Sequence, residues 1–383
     1  MLIIIMTISI HILFAQKNRN LIRASETLDS IYKFFSIPNS YLLREHYSFT
    51  GDFKADYLGG GENANKANAY AYLWPYSGSL SAYVALYEST KNKQILDLID
   101  NKVLVGLAEY FDKRSPVGYA SYVNSAPQPD RFYDDNVWLG IDFTDLYLLK
   151  KDKKYLNKAL EIWEFVASGK DEKLGRGIYW CEQRKESKNT CSNAPSVVYL
   201  AKLYLATNDK KYLIEAENLY NWTQSNLLDT KDSLYYDNIN LKGVVDKRKY
   251  AYNTGQMIQA GALLHQLTKK QKYLLDAQNS AKGGFDYFFY DTKESDNTNK
   301  VLKQSNNWFI AVMMRGYMEL YTVDKKPIYI QAFQKNRDYA WEYMRERTGL
   351  FNKDWSGAQQ EKSKWLLDQF AIVEMYARIS NMK

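Results

Sequence analysis

The residues best equipped for chemistry lie in Arg131-Phe132-Tyr133-Asp134-Asp135-Asn136-Val137-Trp138, where two adjacent carboxylates sit between aromatic side chains. Two acids confined in one site cannot both ionise freely, so one pKa rises relative to the other and an acid/base pair becomes available near neutral pH. Glycoside hydrolysis uses such a pair. An acidic first turn is also ordinary helix chemistry, favoured by capping and by the macrodipole, so the surroundings must decide. At a helix start the backbone is not yet regular, and consecutive carboxylates can share one cleft instead of diverging by about 100°. Adjacency then favours the separation of roughly 5–5.5 Å found in retaining glycosidases over the roughly 6.5–9.5 Å of inverting ones.

Candidate sugar-binding groups accompany the pair. Tyr133, Trp74, Trp180, Tyr236, Trp308 and Trp355 offer ring faces, and Asn253, Gln256 and Asn307 offer amides for sugar hydroxyls. Asn253 and Asn307 read equally well as helix caps. Asp237 is a third carboxylate, able to bind a sugar or orient the pair, and also fits a turn; Asp142 and Asp145 read as buried structural acids. The histidines are His11, His46 and His265, and the last occupies a position where related segments carry tyrosine. No metal-ligand spacing, P-loop or dinucleotide glycine fingerprint occurs, so neither metal nor cofactor is expected. Gly59-Gly60-Gly61 reads as a flexible loop able to flank the cleft.

The elements that must position these residues show as a repeat. A Leu-Tyr step recurs at Leu86-Tyr87, Leu146-Tyr147, Leu203-Tyr204 and Leu320-Tyr321, with variants at Leu264-His265 and Met375-Tyr376, a period of roughly 60 residues. Each unit holds an apolar helix, a short Lys-rich turn such as Asp152-Lys153-Lys154 or Asp209-Lys210-Lys211, and an amphipathic helix. The spacing predicts apolar helices over 77–90, 134–150, 194–207, 252–268, 305–322 and 365–380. It predicts amphipathic ones over 21–35, 92–111, 153–167, 210–226, 270–289 and 327–346. Six inner helices ringed by six outer ones form an all-α (α/α)6 barrel, and ring closure pairs the otherwise unpartnered first amphipathic and last apolar helices. The links leading back to each inner helix are long and carry the aromatics, so function is expected on that face, where Asp134 and Asp135 also lie.

The 383 residues and 46% hydrophobic content suffice for a large core. The 51 basic and 44 acidic residues are interspersed, which argues against a nucleic-acid partner. The 15% aromatic content leans toward a carbohydrate ligand. The apolar run Met1 to Ala15 is too short to span a bilayer and suits a signal peptide. We therefore expect a leader over 1–16, a single catalytic domain over 17–383, and a secreted or periplasmic protein without an integral membrane segment. Cys181 and Cys191 could pair in an oxidising compartment or remain free.

Tyr133-Asp134-Asp135-Asn136-Val137-Trp138 resembles glycoside hydrolase family 76, the α-1,6-mannanases. Asn193-Ala194-Pro195, Tyr252-Asn253-Thr254-Gly255-Gln256-Met257 and Asp354-Trp355-Ser356-Gly357 follow in matching order. The resemblance implies endo-acting hydrolysis of α-1,6-mannose backbones with retention, Asp134 as nucleophile, Asp135 as general acid/base and Asp237 as a sugar-binding acid. It implies an α-mannan or manno-oligosaccharide partner, and a monomer is expected. Fungal members act as transglycosylases, so transfer is one alternative; an unsaturated uronyl hydrolase, a sugar epimerase and a non-catalytic glycan-binding protein are others.

Overall fold

A computed structural model describes residues 2–49, 55–58, 68–127, 129–291 and 300–382, with side chains from residue 18 onward except that of residue 56. Gly59–Gly61 and the side chains of the apolar leader lie outside this description. In chain order, α1 (Leu2–Phe35) is followed by α2 (Leu73–Thr90), α3 (Lys93–Leu98) and α4 (Leu104–Leu107). Then come α5 (Tyr133–Lys150), α6 (Lys153–Ala167), α7 (Thr190–Thr207), α8 (Lys210–Leu227), α9 (Ala251–Thr268) and α10 (Gln271–Tyr287). The helices α11 (Asn307–Asp324), α12 (Ile328–Tyr343) and α13 (Leu366–Ile379) complete the set.

The apolar helices form a closed ring: α2 packs on α5, α5 on α7, α7 on α9, α9 on α11, α11 on α13, and α13 back on α2. The amphipathic helices surround it, and α1 packs on α13 as ring closure requires. Each outer helix buries one stripe; α6, for example, buries Tyr155, Ala159, Ile162, Trp163 and Val166. Between α9 and α11 the backbones nearly touch. A Cβ at Gly255 would stand 2.4 Å from Met313 Cα, and one at Gly316 would stand 2.1 Å from the Gly255 carbonyl oxygen, so only glycine fits at either place.

The Lys-rich turns have a common construction. Lys91, Lys151, Asn208, Lys269 and Lys325 each end an inner helix in the left-handed region, and the backbone N–H of each donates to the carbonyl four residues earlier. In three units Asn92, Asp152 or Asp209 follows at once and caps the next helix through its side chain. Such short links force antiparallel pairs.

The second outer helix differs from the expected 92–111 span. It breaks after Leu98 into a π-turn at Ile99–Val103, then α4 and a 3₁₀ turn at Ala108–Tyr110. There the Val103 carbonyl accepts the Tyr76 hydroxyl at 3.1 Å. Helix α2 starts at Leu73 rather than 77, taking Pro75 into its first turn, where no N–H is needed. Helix α7 starts at Thr190 rather than 194, because its first turn is polar and carries no apolar period. The link expected over 227–251 contains an antiparallel hairpin, Leu234–Asn240 with Val245–Lys249, extended by Ser187–Asn189. Its register slips between Tyr236–Lys249 and Asn238–Asp246, where Asp237 faces the two residues Lys247 and Arg248.

Candidate active site

At the N-terminal ends of the inner helices lies a cavity of about 490 Å³. Asp134, Asp135, Trp74, Trp180, Asp237 and Trp308 all line it, so the structure brings these sequence-predicted residues together. Other candidates do not line it. Tyr133 turns outward and stacks on Phe165, with ring centroids 4.9 Å apart. Tyr236 alternates with Asp237 along its strand, so it points away from the cavity when Asp237 points in. Asn253 and Gln256 are fully buried in α9, Asn253 beside Asp237, whose anion it favours, and Gln256 donating to Gln259 Oε1 at 3.0 Å. Asn307 donates to the Asn352 carbonyl at 3.1 Å, and Trp355 is buried in the main core. The helix-cap reading of Asn253 and Asn307 also fails, because the cap positions are Tyr250 and Asn306.

Asp134 and Asp135 occupy the first turn of α5, whose cap position is Phe132, and neither caps the helix. Trp180 Nε1 donates to Asp134 Oδ2 at 3.2 Å. Burial raises the Asp134 pKa, while the neighbouring Cys191 thiol, the Trp180 indole and the first-turn amides favour the anion. Asp135, 7% exposed, is raised well above the carboxylate range by burial and then by the Asp134 charge, with no donor among the described residues opposing the rise. The pair can therefore hold one proton, and Asp135 is the better place for it. Asp237, raised by burial, accepts from Asn238 Nδ2 at 3.1 Å and Arg248 Nη2 at 3.4 Å.

A repeated amide clamp sets these positions. Asn193, in the first turn of α7, accepts from the Ile178 N–H at 2.7 Å and donates to the Ile178 carbonyl at 2.9 Å. Asn136 holds Tyr119 in the same way, at 2.8 and 2.9 Å, and Gln369 holds Phe351, at 2.8 and 3.0 Å. Two residues beyond Ile178, the Trp180 carbonyl accepts the Tyr133 N–H at 2.9 Å. The clamp and this bond hold the Trp180 indole over Asp134. The recurrence of a polar residue fourth in an inner helix was the available sequence signal.

Several cavity residues carried no functional signal in the sequence reading. Cys191 is free, as is Cys181, which is buried in a separate cluster with Phe132 and Leu58; the disulfide alternative does not hold. Cys191 stands in the cavity wall with Tyr57, Tyr72, Tyr252 and Phe309, the last two stacked at 4.2 Å. Trp138, one turn beyond Asp134, meets Trp308 edge-on at 4.7 Å. Among the described residues no His/Cys/Asp/Glu group could hold a metal ion, and no helix is long and apolar enough to cross a membrane.

Comparison with known proteins agrees with this geometry. A mannosidase of glycoside hydrolase family 76 from Bacteroides thetaiotaomicron VPI-5482, Bt3792, is 32% identical, with 94% of this chain and 98% of that one superposed at a TM-score of 0.83. An inactive variant of the α-1,6-mannanase GH76A of Salegentibacter sp. HEL1_6, with two consecutive aspartates changed to asparagine and α-1,6-mannotriose bound, shares the fold. It is 22% identical over 95% of this chain and 100% of that one, at a TM-score of 0.75. The Meiotically up-regulated gene 191 protein of Schizosaccharomyces pombe is 28% identical over 255 residues, 59% of this chain. The match spans only 57% of that curated relative. Residues 44–382 match Glycosyl hydrolase family 76, and with the paired acids in a ring-lined cavity the chain is a glycoside hydrolase belonging to that family.

Proposed function

We propose that the chain is a secreted, retaining endo-α-1,6-mannanase in which Asp134 is the nucleophile and Asp135 the general acid/base. The observation that carries this reading is the unequal setting of two adjacent acids in one cavity: donors favour the Asp134 anion, and none among the described residues opposes the proton on Asp135. In the first step Asp134 attacks the anomeric carbon while Asp135 gives its proton to the glycosidic oxygen, so the bond to the leaving sugar breaks and a glycosyl ester forms. In the second, Asp135 takes a proton from water, whose oxygen displaces Asp134 at the same carbon.

The linkage is supported by the Salegentibacter α-1,6-mannanase, inactivated at two consecutive aspartates and bound to α-1,6-mannotriose. A neutral sugar suits the wall, because Arg248 is already engaged by Asp246 at 2.6 Å and by Asp237. Neither His46 nor His265 lines the cavity, which disfavours epimerase chemistry. Export is inferred from the apolar leader at 1–16. The test is release of reducing ends from unbranched α-1,6-mannan. Asp134→Asn and Asp135→Asn should each lose at least about 10³-fold in kcat, and product NMR should show the α-anomer first. Equal activity in all three proteins would sink the assignment.

A further inference from the structure

Asp134 and Asp135 have different neighbours because the ring places α7 on one side of α5 and α2 on the other. On the α7 side, Trp180 and Cys191 stand with Asp134. On the α2 side, the wall is built from Tyr57, Tyr72 and Trp74, and Tyr57 feels the charge of Asp135.

One carboxylate holds this second wall from behind. Glu45 is 3% exposed and accepts four hydrogen bonds: from the Tyr57 hydroxyl at 2.6 Å, Asn68 Nδ2 at 2.9 Å, the Tyr72 backbone N–H at 2.9 Å and Trp365 Nε1 at 3.1 Å. Burial raises the Glu45 pKa and these four donors oppose the rise, and with all four bonds made the carboxyl group is fully occupied in holding the wall. Trp74 meets both Tyr57 and Trp365 edge-on, each at 5.3 Å, so the rings that Glu45 holds also seat Trp74. Among the described residues the Trp74 indole N–H is buried without a hydrogen-bond partner.

We propose that Tyr57 and Trp74 form the platform for the leaving sugar, and that Glu45 is the positioning residue that holds it. The inference rests on the mannanase reading, and in particular on Asp135 as proton donor. The group that protonates the glycosidic oxygen stands beside the leaving sugar, so the wall next to Asp135 receives that sugar and the wall next to Asp134 receives the sugar that becomes esterified. A hexopyranose offers an apolar face to the rings.

Two substrates separate this role from a general one. α-1,6-Mannotetraose needs a platform for its leaving sugar; the 2,4-dinitrophenyl glycoside of α-1,6-mannobiose has a leaving group that needs neither the platform nor the acid. Tyr57→Ala and Glu45→Gln should each lower kcat/KM on mannotetraose by about tenfold or more, mainly through KM, and change the aryl glycoside by less than about threefold. Tyr57→Phe keeps the ring but loses the bond to Glu45, and should show a smaller loss confined to mannotetraose. Equal losses on both substrates, or no loss on either, would overturn the platform. Wild-type turnover of neither substrate would overturn the mannanase reading and the platform with it.

Discussion

Adjacent aspartates on one helix acquire different chemistry because a helix turns about 100° per residue. Asp134 meets the indole of Trp180, whereas Asp135 meets burial and the charge of its neighbour. The first chemical step needs Asp134 ionised and Asp135 protonated. The rate should therefore rise with pH through the raised pKa of Asp134, fall through the still higher pKa of Asp135, and trace a bell whose acid limb lies above the ordinary carboxylate range. Trp180→Phe removes a donor that favours the anion, so the acid limb of kcat/KM should move up by roughly half to one pH unit while the alkaline limb stays. An unmoved acid limb would exclude this role for Trp180. The pair itself was legible because its chemistry is written in residue type. Cys191 was not, since a thiol near a second thiol reads as half of a disulfide, and Glu45 and Tyr57 lie in a stretch without period.

At the scale of elements, the inner and outer helices follow from apolar spacing, and their boundaries largely match the expected spans because five of the six inner helices end at a left-handed cap. The hairpin at Leu234–Asn240 and Val245–Lys249 is legible in the sequence only as a long link, for its second strand is mostly charged and a third strand pairs with it from another loop. The amide clamps were also missed, because one asparagine looks the same whether it caps a helix, binds a sugar or holds a loop. Asn193→Ala should make the difference measurable. It leaves the buried Ile178 N–H and carbonyl unpaired, at a cost of about 2 kcal/mol in urea unfolding, and kcat/KM should fall further as Trp180 loosens. Unchanged stability would mean that the loop holds without its clamp.

At the scale of the whole molecule, the barrel axis beyond the cavity is filled with charge. Glu374 takes two bonds from Arg315, at 2.5 and 2.6 Å, and one from Arg378 at 2.5 Å, and these cations hold its pKa down to about 2 despite burial. Asp142, in the same axis, accepts among the described residues only from Ser81 Oγ, at 2.6 Å, and burial pushes its pKa up to about 7. The folded state thus keeps a proton that the unfolded chain releases near pH 4, and stability falls as pH rises from about 4 to about 7. Asp142→Asn removes that penalty while keeping an acceptor for Ser81. It should stabilise the protein by on the order of 2 kcal/mol at pH 8 and change little at pH 4, as read by denaturant unfolding. A gain at both pH values would point to packing instead of ionisation. The sequence by itself determined the helix pairs, their closure into a ring, the face that carries the long links and the acid pair at its centre, because periodicity and residue type are local properties. Only the tertiary structure decided which rings reach the cavity, which aspartate receives the donors, and that a distant glutamate holds one wall. Side-chain direction in aperiodic loops and the dielectric around a carboxyl depend on neighbours that are far apart in the chain.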